Sequence, residues 1–68
     1  MTADLRQVQY IDEYEASRIT GFAVQSFRNW RHLRRGPGYV KVGRSIRYSL
    51  AGLVEWMERH RVEQEDAR

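Results

Sequence analysis

The chain has 68 residues, a net charge of +3 and no cysteine. That length allows one small domain with a modest core, and the missing cysteines exclude disulfide staples and thiolate zinc sites. No apolar run approaches the ~20 residues of a membrane span and no basic-then-apolar leader is present, so the expected location is cytoplasmic.

The distribution of charge says more than its sum. Between Ala16 and Val54 lie Arg18, Arg28, Arg31, Arg34, Arg35, Lys41, Arg44 and Arg47, eight basic residues with no Asp or Glu among them. All nine acidic residues fall outside that stretch. Such segregation predicts a basic face that attracts a polyanion.

In chain order, Tyr10-Ile11 is a brief extended lead-in. Asp12 has the signature of a helix N-cap, with Glu15 three residues on as its capping-box partner and Ile11 and Ala16 as a hydrophobic staple. The first helix runs to about Thr20, with Ala16 and Ile19 facing inward, and Gly21 supplies the left-handed stop. Phe22-Ala23 turns the chain into a second helix from about Val24 to Leu33. Val24, Phe27, Trp30 and Leu33 form its inward stripe. Gln25, Ser26, Arg28, Asn29, Arg31 and His32 form a polar outer face without an acid.

Gly36-Pro37-Gly38 stops that helix. A hairpin follows: Tyr39 to Val42, a turn at Gly43-Arg44-Ser45, and a return strand from Ile46 to Tyr48. Alternation then puts Val40, Val42, Ile46 and Tyr48 on one side and Lys41, Ser45 and Arg47 on the other. Ser49 caps a third helix, which carries Leu50, Leu53, Val54 and Met57 on its apolar stripe, Trp56 beside them, and a Glu55/Arg59 pair at i, i+4. The expected organisation is a flexible arm over residues 1–9, one domain over 10–61, and a polar, disordered tail over 62–68.

The fold class implied is mainly α with a small β-hairpin: a winged helix-turn-helix of three short helices and a two-stranded wing. In such a fold the second helix enters the major groove. Gln25, Arg28, Asn29 and His32 would face base edges, since Arg reads guanine and Asn or Gln reads adenine bidentately. Ser26, near the helix start, suits a phosphate. Lys41, Arg44, Ser45 and Arg47 surround the wing tip, where Arg44 can enter the minor groove.

These residues carry a resemblance. Ile19-Thr20-Gly21-Phe22, Phe27-Arg28-Asn29-Trp30-Arg31, Gly36 to Arg44, and Arg47-Tyr48-Ser49 with Leu53 and Trp56 resemble the MerR-like winged helix of phage and mobile-element excisionases. The likeness spans about Tyr10 to His60. It implies DNA contacts at Gln25, Ser26, Arg28, Asn29, Arg31, Arg44 and Arg47. It also implies a recombination directionality factor that binds beside an attachment site in a bacterial host, bends the DNA and steers an integrase, a tyrosine or serine recombinase, toward excision. Two positions depart from the family pattern. Ala23 replaces the usual Ser or Thr cap, worth ~1 kcal/mol. Gly52 replaces the usual acid in the first turn of the third helix.

Other roles have less support. Trp30, Phe27 and Trp56 sit at core positions, and Tyr39 and Tyr48 flank the wing. Arg34 and Arg35 are either phosphate contacts or solvated charge at a helix C-terminus. His32 and His60 are isolated, so no metal site, cofactor or small-molecule ligand is expected. No nucleophile with a base and no nucleotide loop is present, so no catalytic residue and no enzyme activity is expected. The alternative function is a small transcriptional regulator of the MerR-like type. The eleven residues after Met57 lack heptads, which implies side-by-side assembly of copies on DNA rather than a coiled-coil dimer. A third possibility is an interaction module whose basic face meets an acidic protein.

Overall fold

The computed structural model describes residues 8–64. Asp12 accepts a hydrogen bond from the Glu15 backbone N–H at 2.9 Å and so starts α1, Glu13–Thr20. The reciprocal half of the expected capping box does not form, because the Glu15 carboxylate forks onto Arg18 one turn along. Gly21 ends α1 in the left-handed region at φ 83°, with its N–H on the Ser17 carbonyl.

The turn that follows is closed by side chains. Thr20 Oγ1 donates to the Ala16 carbonyl and accepts from the Phe22 N–H, while Ser17 Oγ donates to the Phe22 carbonyl at 2.6 Å. α2 spans Val24–His32, and its N-cap Ala23 makes no side-chain cap bond, as the departure at that position implies.

α2 ends before the glycines. Arg35 N–H bonds the Trp30 carbonyl at 2.7 Å and Arg34 N–H bonds the Arg31 carbonyl at 3.1 Å. That is the double bond of a Schellman closure, and its left-handed residue is Arg34 at φ 60° rather than a glycine. Pro37 is buried behind it.

Three strands follow the order β1-β3-β2: β1 Tyr10–Ile11, β2 Val40–Val42 and β3 Ser45–Ser49. The expected two-stranded wing is therefore a three-stranded antiparallel sheet, in which Tyr10 pairs with Ser49 and Ile11 with Tyr48. The lead-in gives the hairpin the third strand that two strands alone need for stability. The end of the expected arm is likewise engaged, since Gln9 accepts from the Leu50 N–H at 2.9 Å.

The register corrects the expected faces of the hairpin. Val42 pairs with Ser45, Lys41 with Ile46 and Val40 with Arg47. The turn is thus the two residues Gly43-Arg44, with Gly43 at φ 62°, in the first central position where a two-residue hairpin accepts glycine. Taking Ser45 out of the turn slips the pairing by one residue, and a one-residue slip reverses every side chain of a strand. Val40 and Val42 consequently share the outward face with Ser45 and Arg47 and stand 42% and 69% exposed. Lys41 shares the face of Ile46.

α3 spans Leu50–Glu58, capped by Ser49 Oγ on the Gly52 N–H at 3.1 Å. The Glu55/Arg59 pair does not close among the described residues; Glu58 pairs with Arg61 instead. α3 stops at Glu58 although the chain continues, and residues 61–64 have no regular structure. The remainder of the expected arm and tail, residues 1–7 and 65–68, lies outside the described residues.

Ile11, Ala16, Phe27, Tyr48 and Leu53 are the buried core, with Trp30, Ile46, Leu50 and Trp56 packed against it. Ile19, Leu33 and Val54 were expected on inward stripes but are 41%, 58% and 49% exposed. Helices of eight or nine residues meet the core over a narrow arc, so residues at the edges of a stripe stay outside. Phe22, itself 38% exposed, stands edge-on to Phe27, Trp30 and Trp56 at the rim of that core, with ring centroids 6.5, 5.3 and 6.4 Å away. Such edge-to-face pairs add ~0.5–1.5 kcal/mol each beyond area burial. No helix among the described residues is long and apolar enough to cross a membrane.

Candidate nucleic-acid interface

α2 divides its polar residues into two sets. Gln25, Asn29 and His32 point to solvent. Gln25 Nε2 donates to Asn29 Oδ1 at 3.0 Å, one turn apart, so the two amides hold each other on the exposed face. Ser26 is half-buried in the first turn, and its own N–H is taken by the Ala23 carbonyl at 2.9 Å.

Arg28 and Arg31 form the second set, and an acid joins them. Glu13, from the first turn of α1, receives Arg28 Nε at 3.1 Å and NH2 at 2.6 Å on Oε2, and Arg31 NH2 at 3.0 Å on Oε1. Arg28 also donates to the Tyr14 hydroxyl at 3.2 Å. Arg31 donates to the hydroxyl of the buried Tyr48 at 2.7 Å and lies over the Tyr39 ring, 5.8 Å from its centroid.

The two arginines therefore differ. Arg31 has a side chain only 16% exposed and joins α1, α2 and the sheet. It is displaced from the expected outer face into the structure. Arg28, 45% exposed, reaches Glu13 but stays accessible. The acid-free stretch of sequence is not acid-free in space.

Glu13 responds electrostatically. The fork from Arg28 lowers its pKa below the ordinary 4.5, against the opposing effect of burial, and the bond from Arg31 lowers it further. The folded protein thus binds that proton more weakly than the unfolded chain does. The stabilisation is complete above pH 4.5 and is lost as pH falls through the lower folded value. Thermal melts between pH 6 and pH 3, a window set by ordinary carboxylate pKa values, should show an acid loss of stability that shrinks in Glu13→Gln. An unchanged acid limb in that variant would remove Glu13 as its source. Burial raises the Tyr48 pKa, with Arg31 acting in the opposite direction, so Arg31 meets a neutral phenol.

The hairpin supplies the remaining cations. Arg44 is the second residue of the turn, and Ser45, Arg47 and Lys41 are exposed on the flanking strands. Arg47 NH1 donates back to the Ile46 carbonyl at 2.8 Å. Register places Arg47 on the outward face and Lys41 on the opposite one, so the four expected wing residues do not share one surface. Arg34 and Arg35 are exposed just beyond α2. Among the described residues, Arg34, Arg35, Lys41, Arg44 and Arg47 have no carboxylate within ion-pair distance.

Sequence reasoning missed Glu13, Tyr14 and Tyr48 as partners of α2. Glu13 and Arg28 are 15 positions apart, and no helical or strand period links them. The available hint was that Asp12 and Glu15 could satisfy the cap, which left Glu13 without an assigned role. An open hollow of about 480 Å³ lies on another flank of α2, lined by Phe22, Trp30, Arg35, Gly36, Trp56, Met57 and His60. Among the described residues no group of three His, Asp or Glu is placed to hold a metal ion.

Compared with known protein families, with curated proteins and with solved structures, the chain matches none.

Proposed function

We propose that this chain is a winged helix-turn-helix protein that binds duplex DNA by sequence, with α2 as recognition helix and the β2–β3 hairpin as wing. The observation that supports it most is the pairing of two exposed surfaces. α2 offers Gln25, Arg28, Asn29 and His32 to solvent, and the hairpin that carries Arg44 and Arg47 is tied to α2 through Arg31. An α-helix with its side chains is ~10–12 Å across and the major groove is ~12 Å wide.

Within that reading the excisionase role fits best. α3 is a nine-residue helix that stops at Glu58, and among the described residues no helix is long enough for the coiled coil by which a MerR-type regulator would dimerise. Copies would instead sit side by side along an attachment site and present a bent duplex to an integrase. Integrase-dependent excision of a substrate flanked by attachment sites tests this: adding the protein should switch the reaction on. Binding to a promoter with no effect on excision would favour the regulator instead. Duplex binding that ignores salt would remove DNA from both.

Arg34 offers a separate check. A non-glycine residue in the left-handed region costs ~1–2 kcal/mol, so Arg34→Gly should stabilise the fold by ~1 kcal/mol. If the guanidinium serves a phosphate, the same change should weaken duplex binding and flatten the log–log salt slope by ~0.9. A more stable protein with unaltered binding would make Arg34 a plain solvated charge.

A further inference from the structure

We propose that Glu13 sets the sequence discrimination of the DNA interface by holding Arg28 as a base reader and denying it to phosphate; the inference rests on the DNA-binding reading above. The Glu13 side chain is only 14% exposed. One of its oxygens is fixed by Arg31, which itself holds Tyr48, so the carboxylate cannot follow Arg28 outward without unpairing a nearly buried arginine. Glu13 is a rigid anchor, and Arg28 is the more exposed partner that it holds.

The guanidinium of Arg28 has five N–H donors. Nε–H and one N–H of NH2 go to Glu13, and the other N–H of NH2 goes to the Tyr14 hydroxyl. The NH1 nitrogen keeps both donors without a partner among the described residues. Arg28 is therefore ordered before any DNA arrives, and little of its rotamer entropy remains to be lost on binding.

The anchor also selects among acceptors. A phosphate approaching NH1 carries a full negative charge and is repelled by the Glu13 carboxylate directly behind the guanidinium. A guanine edge offers neutral acceptors and meets far less of that repulsion. The carboxylate thus weakens binding to arbitrary DNA more than binding to a site with guanine at the right step. Glu13 is a positioning residue on this account and touches no base itself.

The test measures affinity, by fluorescence anisotropy at fixed salt, for two duplexes: one selected by the wild-type protein from a randomised pool, and one of scrambled sequence. The ratio of the two affinities is the readout. Glu13→Gln should tighten the scrambled duplex severalfold and lower the ratio severalfold, less than a bidentate arginine–guanine pair carries because only NH1 is free to read. In an Arg28→Ala background the same change should move the ratio less than about twofold, because there is no reader left to hold. Equal weakening of both duplexes would show a merely structural role and overturn the proposal. So would an unchanged ratio, or an equal effect with and without Arg28.

Should Glu13→Gln melt below the assay temperature, Tyr14→Phe removes the other holder of the same guanidinium and leaves the anchor in place. It must also lower the ratio, and an unchanged ratio overturns the proposal. A wild-type protein that distinguishes neither duplex takes down the DNA-binding reading and this inference together. Wild-type discrimination that ignores Glu13 takes down this inference alone.

Discussion

Raising monovalent salt from about 50 to about 200 mM is expected to weaken binding to duplex DNA by a few hundredfold, the counterion-release effect of about five neutralised phosphates. The number five counts the cations of the basic stretch that have no carboxylate partner among the described residues. Eight basic residues populate the stretch from Ala16 to Val54. Arg18 is held by Glu15, and Arg28 and Arg31 by Glu13. Arg34, Arg35, Lys41, Arg44 and Arg47 remain. At ~0.9 per phosphate the log–log slope comes to about −4.5. All eight cations on phosphates would bring it to about −7 and would mean that the Glu13 network and the Glu15–Arg18 pair both open on DNA. Lys41, on the face of the hairpin opposite Arg47, is the first candidate to drop out, and a slope near −3.6 would say so. A flat response sinks the proposed function.

Two substitutions divide the same interface by role. Asn29→Ala removes an amide that can pair with an adenine edge, so it should cost ~1–3 kcal/mol at one base pair and leave the salt slope intact. Arg44→Ala, at the hairpin tip, should weaken every sequence to a similar extent and flatten the slope by ~0.9. Identical behaviour of the two variants would mean that α2 and the hairpin do not act as reader and clamp.

The parts of this fold legible in the sequence are those with local causes. Asp12, Gly21 and Ser49 mark helix ends because a cap needs only a side chain and its neighbours three residues on. Phe27 and Leu53 sit at the centres of their stripes, and both are fully buried. The less legible parts depend on one residue more or less, or on distant pairing. Counting Ser45 into the turn reversed the outward face of the hairpin, since β register changes sign with each residue. Arg34 in the left-handed position has no local sign in the sequence, because Gly36 two residues later is the residue type that such a stop favours. The polar outer face of α2 was correct for Gln25, Asn29 and His32. It failed for Arg31, because the helix period gives a residue's direction but not whether a neighbouring element reaches it.

Gly36→Ala is expected to destabilise the protein by ~2–5 kcal/mol, the sum of a left-handed backbone penalty and an overpacking penalty. Gly36 has φ +83°, and a Cβ placed there would lie 2.8 Å from Trp30 Cβ, 3.1 Å from its Cγ and 3.3 Å from its Cδ2. The first of these atoms is bonded to the backbone of α2, so no rotamer change can clear it. The Trp30 ring cannot retreat either, with Phe22, Phe27 and Trp56 centroids 5.2 to 5.3 Å away. A domain of this size holds only ~3–10 kcal/mol in total, so the melting temperature should fall by more than ~10 °C. Gly38, two residues on, is the matched control: a Cβ there meets nothing within 4 Å and its φ is not positive. Gly38→Ala should therefore melt within a few degrees of wild type. Gly36 sits in the segment that leads from α2 to β2, so its contact with Trp30 helps fix where the hairpin stands beside the helix. A Gly36→Ala protein that melted like Gly38→Ala would show that this segment shifts freely, and that the hairpin's placement rests on its pairing with β1, the core contacts of Ile46 and Tyr48, and Arg31.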